Sequence, residues 1–498
     1  MPENYNRRYF PPTQKLLLPV DMMDWLDDND EVFIYHELLQ NLDLSNFYTK
    51  YREDGTGGKF YDPIHLLGVI FYCYSNGIYS SRKIEEACRI NVRCRYLAGN
   101  MPIDHTTIAR FRQSNLDGIK DLFTQFLVIL YEAQLIDPRL LALDGTKIKA
   151  NASLSSNKTY RRLEQLAHSF VQKGQFADDA EKPVGVRESP REVATRKEME
   201  ERIKKARSIV EERHRAEVKQ FEEKVQQRED EEKEAGKPKR GRKPKQPPSA
   251  PEPSDKANST DPDSRIMKSR TGYLQGYNAQ SISTQEGFVL GCSVTNEEND
   301  MHQLIPVLEL IQDLAARFEV TPDEICLLAD AGYFSYENMM AEYSSGIDLR
   351  LSPWREQKMS DISKDCMYPH ELQRICWDHS TWVPCIAGSV AAWAEAHLKE
   401  RGEWMTKEAV AKQIMGAKLV TEAGKKLYGM RKYMIESIYG IIKENRKFRA
   451  FLTRGLEGVN CEWTLVNMVH NIKLGIKKGI GSFFNQRHLG GGVAIAGL

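Results

Sequence analysis

Two aspartates stand at matching places in two similar stretches. Leu140-Leu-Ala-Leu-Asp144-Gly and Ile325-Cys-Leu-Leu-Ala-Asp330-Ala-Gly each run from apolar residues into a carboxylate, with a glycine close behind. Short continuous apolar runs read as buried strands. The sequence therefore predicts Asp144 and Asp330 at the ends of two strands, where backbone pairing stops and a carboxylate can face a cleft. A third carboxylate, Glu436, lies in the helical stretch Tyr428-Gly-Met-Arg431-Lys-Tyr-Met-Ile-Glu436-Ser-Ile-Tyr-Gly-Ile-Ile-Lys443. Carboxylates are hard oxygen donors that suit Mg²⁺ or Mn²⁺. Two such ions, about 3.5–4 Å apart, clamp an in-line displacement at phosphorus. One ion activates the attacking water or 3′-hydroxyl, and the other stabilises the leaving oxygen. Lys443, seven residues from Glu436 and on the same helix face, would meet a phosphate nearby. Taken alone, Glu436 reads as a solvated charge on an amphipathic helix. Two strand-Asp-Gly units followed by a late Glu make a sharper signal.

The elements that must hold these groups follow from patterning. Residues 60–135 read as helices throughout, beginning with Asp62-Pro63 as cap and first residue. In Asp104-His-Thr-Thr-Ile-Ala-Arg-Phe-Arg112, Ile108 and Phe111 face a core, leaving His105, Thr106, Arg110 and Arg112 outside. This is the layout of a helix-turn-helix recognition helix, and equally of a small bundle with a solvated face. Residues 153–263 are a charged insertion. Met199, Ile203, Ala206 and Val210, then Val218, Phe221 and Val225, mark a seam with a slip. It serves a helical hairpin, an oligomer contact or a single solvated helix. Lys239, Arg240, Arg242 and Lys243 belong to a Pro- and Gly-broken basic strip suited to phosphate attraction, and residues 247–263 have the composition of a disordered linker.

Residues 276–283 and 287–294 alternate as a hairpin. A helix capped by Asn299-Asp300 follows, then the strand that ends at Asp330. With the insertion set aside, this order is that of a ribonuclease-H-like α/β core, a mixed sheet flanked by helices. It occupies 136–152 and 264–475, behind an all-α N-terminal domain at 1–135 and ahead of a tail at 476–498. Within the core, 341–420 carries no readable pattern. Its Cys366, Cys376, Cys385, His370 and His379 match no standard zinc spacing. On an ideal helix Arg431 lies about 140° from Glu436, so Lys432 is the better placed neighbour. His470 reads as a core residue.

Composition narrows the class. The chain has 498 residues with 70 basic and 70 acidic side chains, so net charge argues neither for nor against nucleic acid. Nine scattered cysteines form no framework, which suits a reducing cytoplasm. No apolar run is long enough to span a bilayer, and no secretory signal opens the chain. Nucleotide-binding glycine loops are absent, so no nucleotide cofactor is expected.

Leu141-Ala-Leu-Asp144-Gly-Thr-Lys-Ile, Thr260-Asp-Pro-Asp-Ser-Arg-Ile-Met267 with Gly276-Tyr-Asn-Ala-Gln280, Leu327-Leu-Ala-Asp330-Ala-Gly-Tyr, and the Tyr428, Arg431, Glu436, Lys443 set resemble bacterial DDE-type insertion-sequence transposases. Within the insertion-sequence-four-like class, the eleven-eighty-two type is the nearest. The segment 102–112 also resembles the helical domain ahead of the catalytic core in those proteins. The resemblance implies cutting and joining of transposon ends, with Asp144, Asp330 and Glu436 as ligands of two Mg²⁺ or Mn²⁺ ions and Tyr428, Arg431 and Lys443 near the site toward phosphate or DNA. It further implies action on double-stranded DNA, at terminal inverted repeats and target, as a homo-oligomer in the cytoplasm. The Arg-to-Glu spacing is one residue longer than the insertion-sequence-four pattern. A nuclease that cuts without joining needs the same carboxylates. A DNA-binding relic would need none of them.

Overall fold

The computed structural model describes residues 22–51, 60–179, 190–235, 238, 243–269, 272–353, 415–416, 418–419 and 422–489. Lys239, Arg240, Arg242 and the cysteine and histidine set at 366–385 lie outside them.

The N-terminal part is helical: α1 (Glu31–Gln40), α2 (Ser45–Tyr48), α3 (Pro63–Ser75), α4 (Ser81–Ile90), α5 (Val92–Leu97), α6 (His105–Ser114) and α7 (Leu116–Glu132). Asp62 caps α3 by accepting from the Ile64 amide at 3.0 Å, with Pro63 at the first position. Every residue of α3 from Leu66 to Ser75 is buried. A helix apolar on all sides must be enclosed on all sides.

A mixed sheet follows. β1 (Leu140–Lys149) pairs antiparallel with β5 (Gly272–Thr284) and parallel with β7 (Cys326–Ala329), which pairs parallel with β8 (Asp348–Leu351). β4 (Arg265–Ser269) and β6 (Val289–Thr295) share the far edge of β5. The predicted hairpin is present, closed by Thr284 N–H to Phe288 O at 2.8 Å and by Gly287 at φ +89°. Before β7 comes α10 (Leu304–Arg317), and after it α11 (Tyr336–Ser345). The C-terminal part holds α12 (Glu422–Arg431), a π-helical turn at Lys432–Glu436, α13 (Ser437–Gly440), a second π-helical turn at Ile441–Asn445, α14 (Leu456–Lys477) and α15 (Ile480–Leu489). The stretch read as a tail thus contributes α15, with Ile480 and Phe484 buried.

α14 lies between the sheet and the N-terminal helices α3, α6 and α7. It joins them into one continuous apolar core running from Val32 to Phe484. The insertion makes a separate small core. β2 (Asn157–Thr159) and β3 (Lys256–Asn258) form a two-stranded ribbon, from which α8 (Tyr160–Asp179) and the 46-residue α9 (Pro190–Ala235) depart. Ile203, Ala206 and Val210 of the predicted seam pack on Leu163 and Ala257, which makes this half of it a helical hairpin. The linker reading fails at 256–261. That stretch pairs with a distant strand, and buried Asp261 accepts from Tyr277 Oη at 2.8 Å. Such pairing is non-local and leaves no trace in composition. Among the described residues no helix is long and apolar enough to cross a membrane.

Candidate active site

Asp144 is not at the end of β1. The strand continues to Lys149 along β5, with Asp144 opposite Ser281. What ends there is the pairing with β7, whose last rung is Leu143 with Ala329. Asp330 is the next residue after that rung. The two aspartates therefore sit side by side where two parallel strands part, and neighbouring strands are about 4.8 Å apart. The strand-Asp-Gly pattern acquires a reason here. Gly145 N–H donates to Asp144 Oδ1 at 2.9 Å, and Gly332 N–H donates to Asp330 Oδ1 at 2.8 Å. A β-carbon on Gly332 would fall 3.0 Å from Asp330 Oδ1 and 3.3 Å from Asp300 Oδ2. One on Gly145 would fall 2.5 Å from Asp300 Oδ1. The glycines keep open the space between carboxylates.

Asp300 was expected to cap a helix. It makes no side-chain capping bond at the short 3₁₀ turn that follows it. Its Oδ1 instead accepts from Asn278 Nδ2 at 2.7 Å and Gln280 Nε2 at 2.8 Å. Tyr333 Oη donates in turn to Gln280 Oε1. Asp300 is thus a further carboxylate beside Asp144 and Asp330 that sequence reasoning missed. The available signal was Asn278 and Gln280, two buried amides alternating on one face of a buried strand. Burial and the Asp330 carboxylate push the Asp144 carboxyl up to about 7, with the Arg431 guanidinium opposing them.

Glu436 reaches this cluster through Arg431. Buried Arg431 places Nη1 3.9 Å from Asp144 Oδ2 and Nη2 3.9 Å from Glu436 Oε1, whose side chain is half exposed. These are ion pairs longer than hydrogen bonds. The 140° separation expected from a regular helix is overturned by the π-helical turn at 432–436. A π turn bonds i to i+5, so Arg431 and Glu436 come onto one face. The extra residue in the Arg-to-Glu spacing is absorbed as a wider turn. Tyr428 packs its ring 5.8 Å from the Arg431 guanidinium carbon. Lys443 Nζ donates to Thr146 Oγ1 and to Lys147 O, the latter at 3.1 Å, which ties the helix to β1 two and three residues past Asp144. Tyr439 Oη donates to Asp144 O at 2.5 Å. Among the described residues no three His, Cys, Asp or Glu side chains are grouped closely enough to hold a metal ion. The Arg431 guanidinium stands between Asp144 and Glu436, and Asp330 lies on the Asp144 side.

The predicted DNA-contacting residues separate. Thr106 and Arg110 are exposed on α6. Thr106 Oγ1 is held by Asp104, the predicted cap, and His105 Nδ1 lies 2.6 Å from Glu85 Oε2. Arg112 is not on the outer face. It is buried, donating to Tyr74 Oη at 2.6 Å, Tyr79 O at 2.9 Å and Ser81 Oγ at 2.7 Å. It lies four residues past Ile108, on the inward side of the helix. Lys243 is exposed. His470 is buried as expected, its Nε2 3.0 Å from Gly287 O.

A helical N-terminal part, a mixed sheet with paired aspartates at a strand fork and a charged helix laid over them define an α/β protein built around carboxylates. Residues 20–114 match a transposase domain (DUF772), and residues 396–474 match a transposase DDE domain. Both matches are to transposase families, one at each end of the chain, and together they support a DDE-type insertion-sequence transposase. The second match begins within the stretch 341–420 that carried no readable pattern. No curated protein and no solved structure matches the chain.

Proposed function

We propose that this chain, of the insertion-sequence eleven-eighty-two type, cleaves DNA at transposon ends and joins them to target DNA in the cytoplasm, as a homo-oligomer. The observation that carries this is Asp144 beside Asp330 at the strand fork, with Glu436 brought onto the same cluster by the π turn. The strand order β6-β5-β1-β7-β8, antiparallel then parallel about β1, supports a ribonuclease-H-like core.

The donor types suit divalent cations of the Mg²⁺ or Mn²⁺ kind, which would draw together carboxylates that stand apart in this structure. The donor set is all carboxylate oxygen, its open space is guarded by Gly145 and Gly332, and two adjacent carboxylates repel until a cation lies between them. Asp144, Asp330 and Glu436 would hold two ions, which supply activation of the attacking oxygen and stabilisation of the leaving one. Asn278 and Gln280 hold Asp300 in place, and Arg431 orients Glu436 toward Asp144. Tyr439 and Lys443 fix the helix to β1, so that ligands from strand and helix keep their separation. Exposed Thr106 and Arg110, with Lys243 and the strip at Lys239, Arg240 and Arg242, would contact the duplex.

The test is strand cleavage and strand transfer on labelled DNA carrying the element's ends, with Mg²⁺ or Mn²⁺. Wild type should cut and join, and D144N, D330N and E436Q should bind DNA without cutting. Binding without cleavage by wild type would favour a relic, and cleavage without joining a nuclease. An active E436Q would remove Glu436 from the ligand set.

A further inference from the structure

Two arginines at the base of the insertion take no part in the site above. Arg213 lies on α9, three residues past Val210, and Arg265 opens β4. Both are half-buried. Arg213 spends one donor on Lys256 O, at 3.1 Å. Its Nε and Nη2, and Nε of Arg265, are shut away from solvent with no hydrogen-bond partner. The two charges also work against each other. Burial first, and the Arg265 charge next, push the Arg213 guanidinium down to about 10, with Asp255 partly offsetting them. Other carboxylates of this region are already engaged. Glu211 is taken by Arg207 and Tyr160, and Asp263 by Lys205.

Buried donors without acceptors and paired like charges are each unfavourable. An anion with several acceptor oxygens removes both. Guanidinium forks match phosphate in shape as well as charge. The position is also suitable. Arg265 stands opposite Gly276, which stands opposite Lys149, so the row crosses the sheet with only a glycine between two cations. Lys149 is exposed and five residues along β1 from Asp144, or about 17 Å. With about 3.4 Å of axis per nucleotide of one strand, that is roughly five nucleotides from the aspartate pair.

We propose that Arg213 and Arg265 clamp one phosphate of the DNA backbone, which makes the insertion a second point of grip on the DNA cut at Asp144. The proposal rests on the transposase reading and assigns a role to the insertion that this reading leaves open. The clamp carries no sequence information. It sets where along the duplex the carboxylates fall.

The test uses the full chain, a mixed-sequence duplex and fluorescence anisotropy over a salt series. Loss of one phosphate contact lowers the slope of log affinity against log salt by about 0.9. R213Q and R265Q should each show this, with affinity weakened roughly fivefold or more whatever the sequence. The double variant should lose little beyond either single one, because both arginines hold the same phosphate. In phosphate-free buffer the single variants should melt at or above the wild-type temperature. Inorganic phosphate at matched ionic strength should raise the melting temperature of wild type and not of the double variant. Unchanged slopes overturn the clamp, and so does a slope change accompanied by lower melting temperatures, which marks a structural role. A response to inorganic phosphate with unchanged DNA slopes overturns DNA as the ligand. Wild type that binds no DNA overturns the transposase reading itself, a result distinct from all of these.

Discussion

Two helical stretches lie against the same sheet and use polar residues in opposite ways. α14 is buried along most of its length, and its polar side chains bond the sheet's backbone. Asn471 accepts from Val289 N–H at 2.8 Å and donates to Val289 O at 2.7 Å, and Asn460 does the same for Val294 at 2.8 and 3.1 Å. Trp463 Nε1 donates to Gln280 O at 3.0 Å. The stretch 422–445 instead carries charges at ion-pair distance, breaks twice into π turns and leaves Glu436 half exposed. A buried amide matched to a backbone N–H and C=O is fixed, because opening it leaves two groups unsatisfied. A half-exposed carboxylate 3.9 Å from a guanidinium can exchange one cation for another at small cost. The first arrangement holds the sheet. The second is suited to chemistry.

The same edit, deletion of one residue, should affect the two stretches in opposite ways. Deleting Met468 turns Asn471 about 100° away from Val289, and soluble folded protein should be lost. Deleting Tyr433, which is 83% exposed in the π turn, leaves Arg431 and Glu436 four apart in chain position, the spacing an ordinary helix stacks. That variant should fold, with cleavage activity retained. If ΔTyr433 fails to fold, or ΔMet468 folds normally, the contrast is wrong.

Single substitutions come next. E436Q should reduce cleavage by more than about 100-fold while changing stability by less than about 0.5 kcal/mol. N471A should cost about 2–4 kcal/mol in denaturant titration, since it strands a buried N–H and C=O. Comparable losses of stability in both would show that Glu436 is structural.

Acidity offers a finer probe, because the two regions respond in opposite directions. Burial pushes the His470 imidazole down to about 4. Its contribution is full above the ordinary value near 6.5 and is lost as pH falls through 4, amounting to about 3 kcal/mol that H470Q should remove. Asp144 is raised to about 7. Its contribution is full below about pH 4 and is lost as pH rises through 7. In chelator, D144N should therefore be the more stable protein at pH 8, by up to about 4 kcal/mol, and no more stable than wild type near pH 4. Equal stabilities at pH 8 would contradict the crowding of carboxylates. The smallest effect is at α6, where R110A should weaken DNA binding about fivefold with stability unchanged.

Much of the site was legible because its parts are local. An apolar run into Asp and Gly reads as a strand end, which holds for Asp330 but not for Asp144, where only the pairing with β7 stops. Three features were not legible, each for a physical reason. Asp300 looked like a cap because caps and site carboxylates use the same residue type, and only the distant Asn278 and Gln280 decide between them. Arg112 looked exposed because it is charged, although it shares the inward face with Ile108. The link from Arg431 to Glu436 looked impossible because residue spacing was converted to angle at 3.6 per turn. A π turn changes that conversion without a signature in composition.

The amides of α14 have a consequence beyond stability. β6 is an outer strand, and exposed backbone along such a strand invites a second chain to add to the sheet. Asn460 and Asn471 already occupy the outward N–H and C=O groups at Val294 and Val289. At those positions the sheet is sealed against edge-to-edge growth by side chains that imitate a neighbouring strand. The free edge of β6 is thereby blunted at Val289 and Val294 by side chains of its own chain.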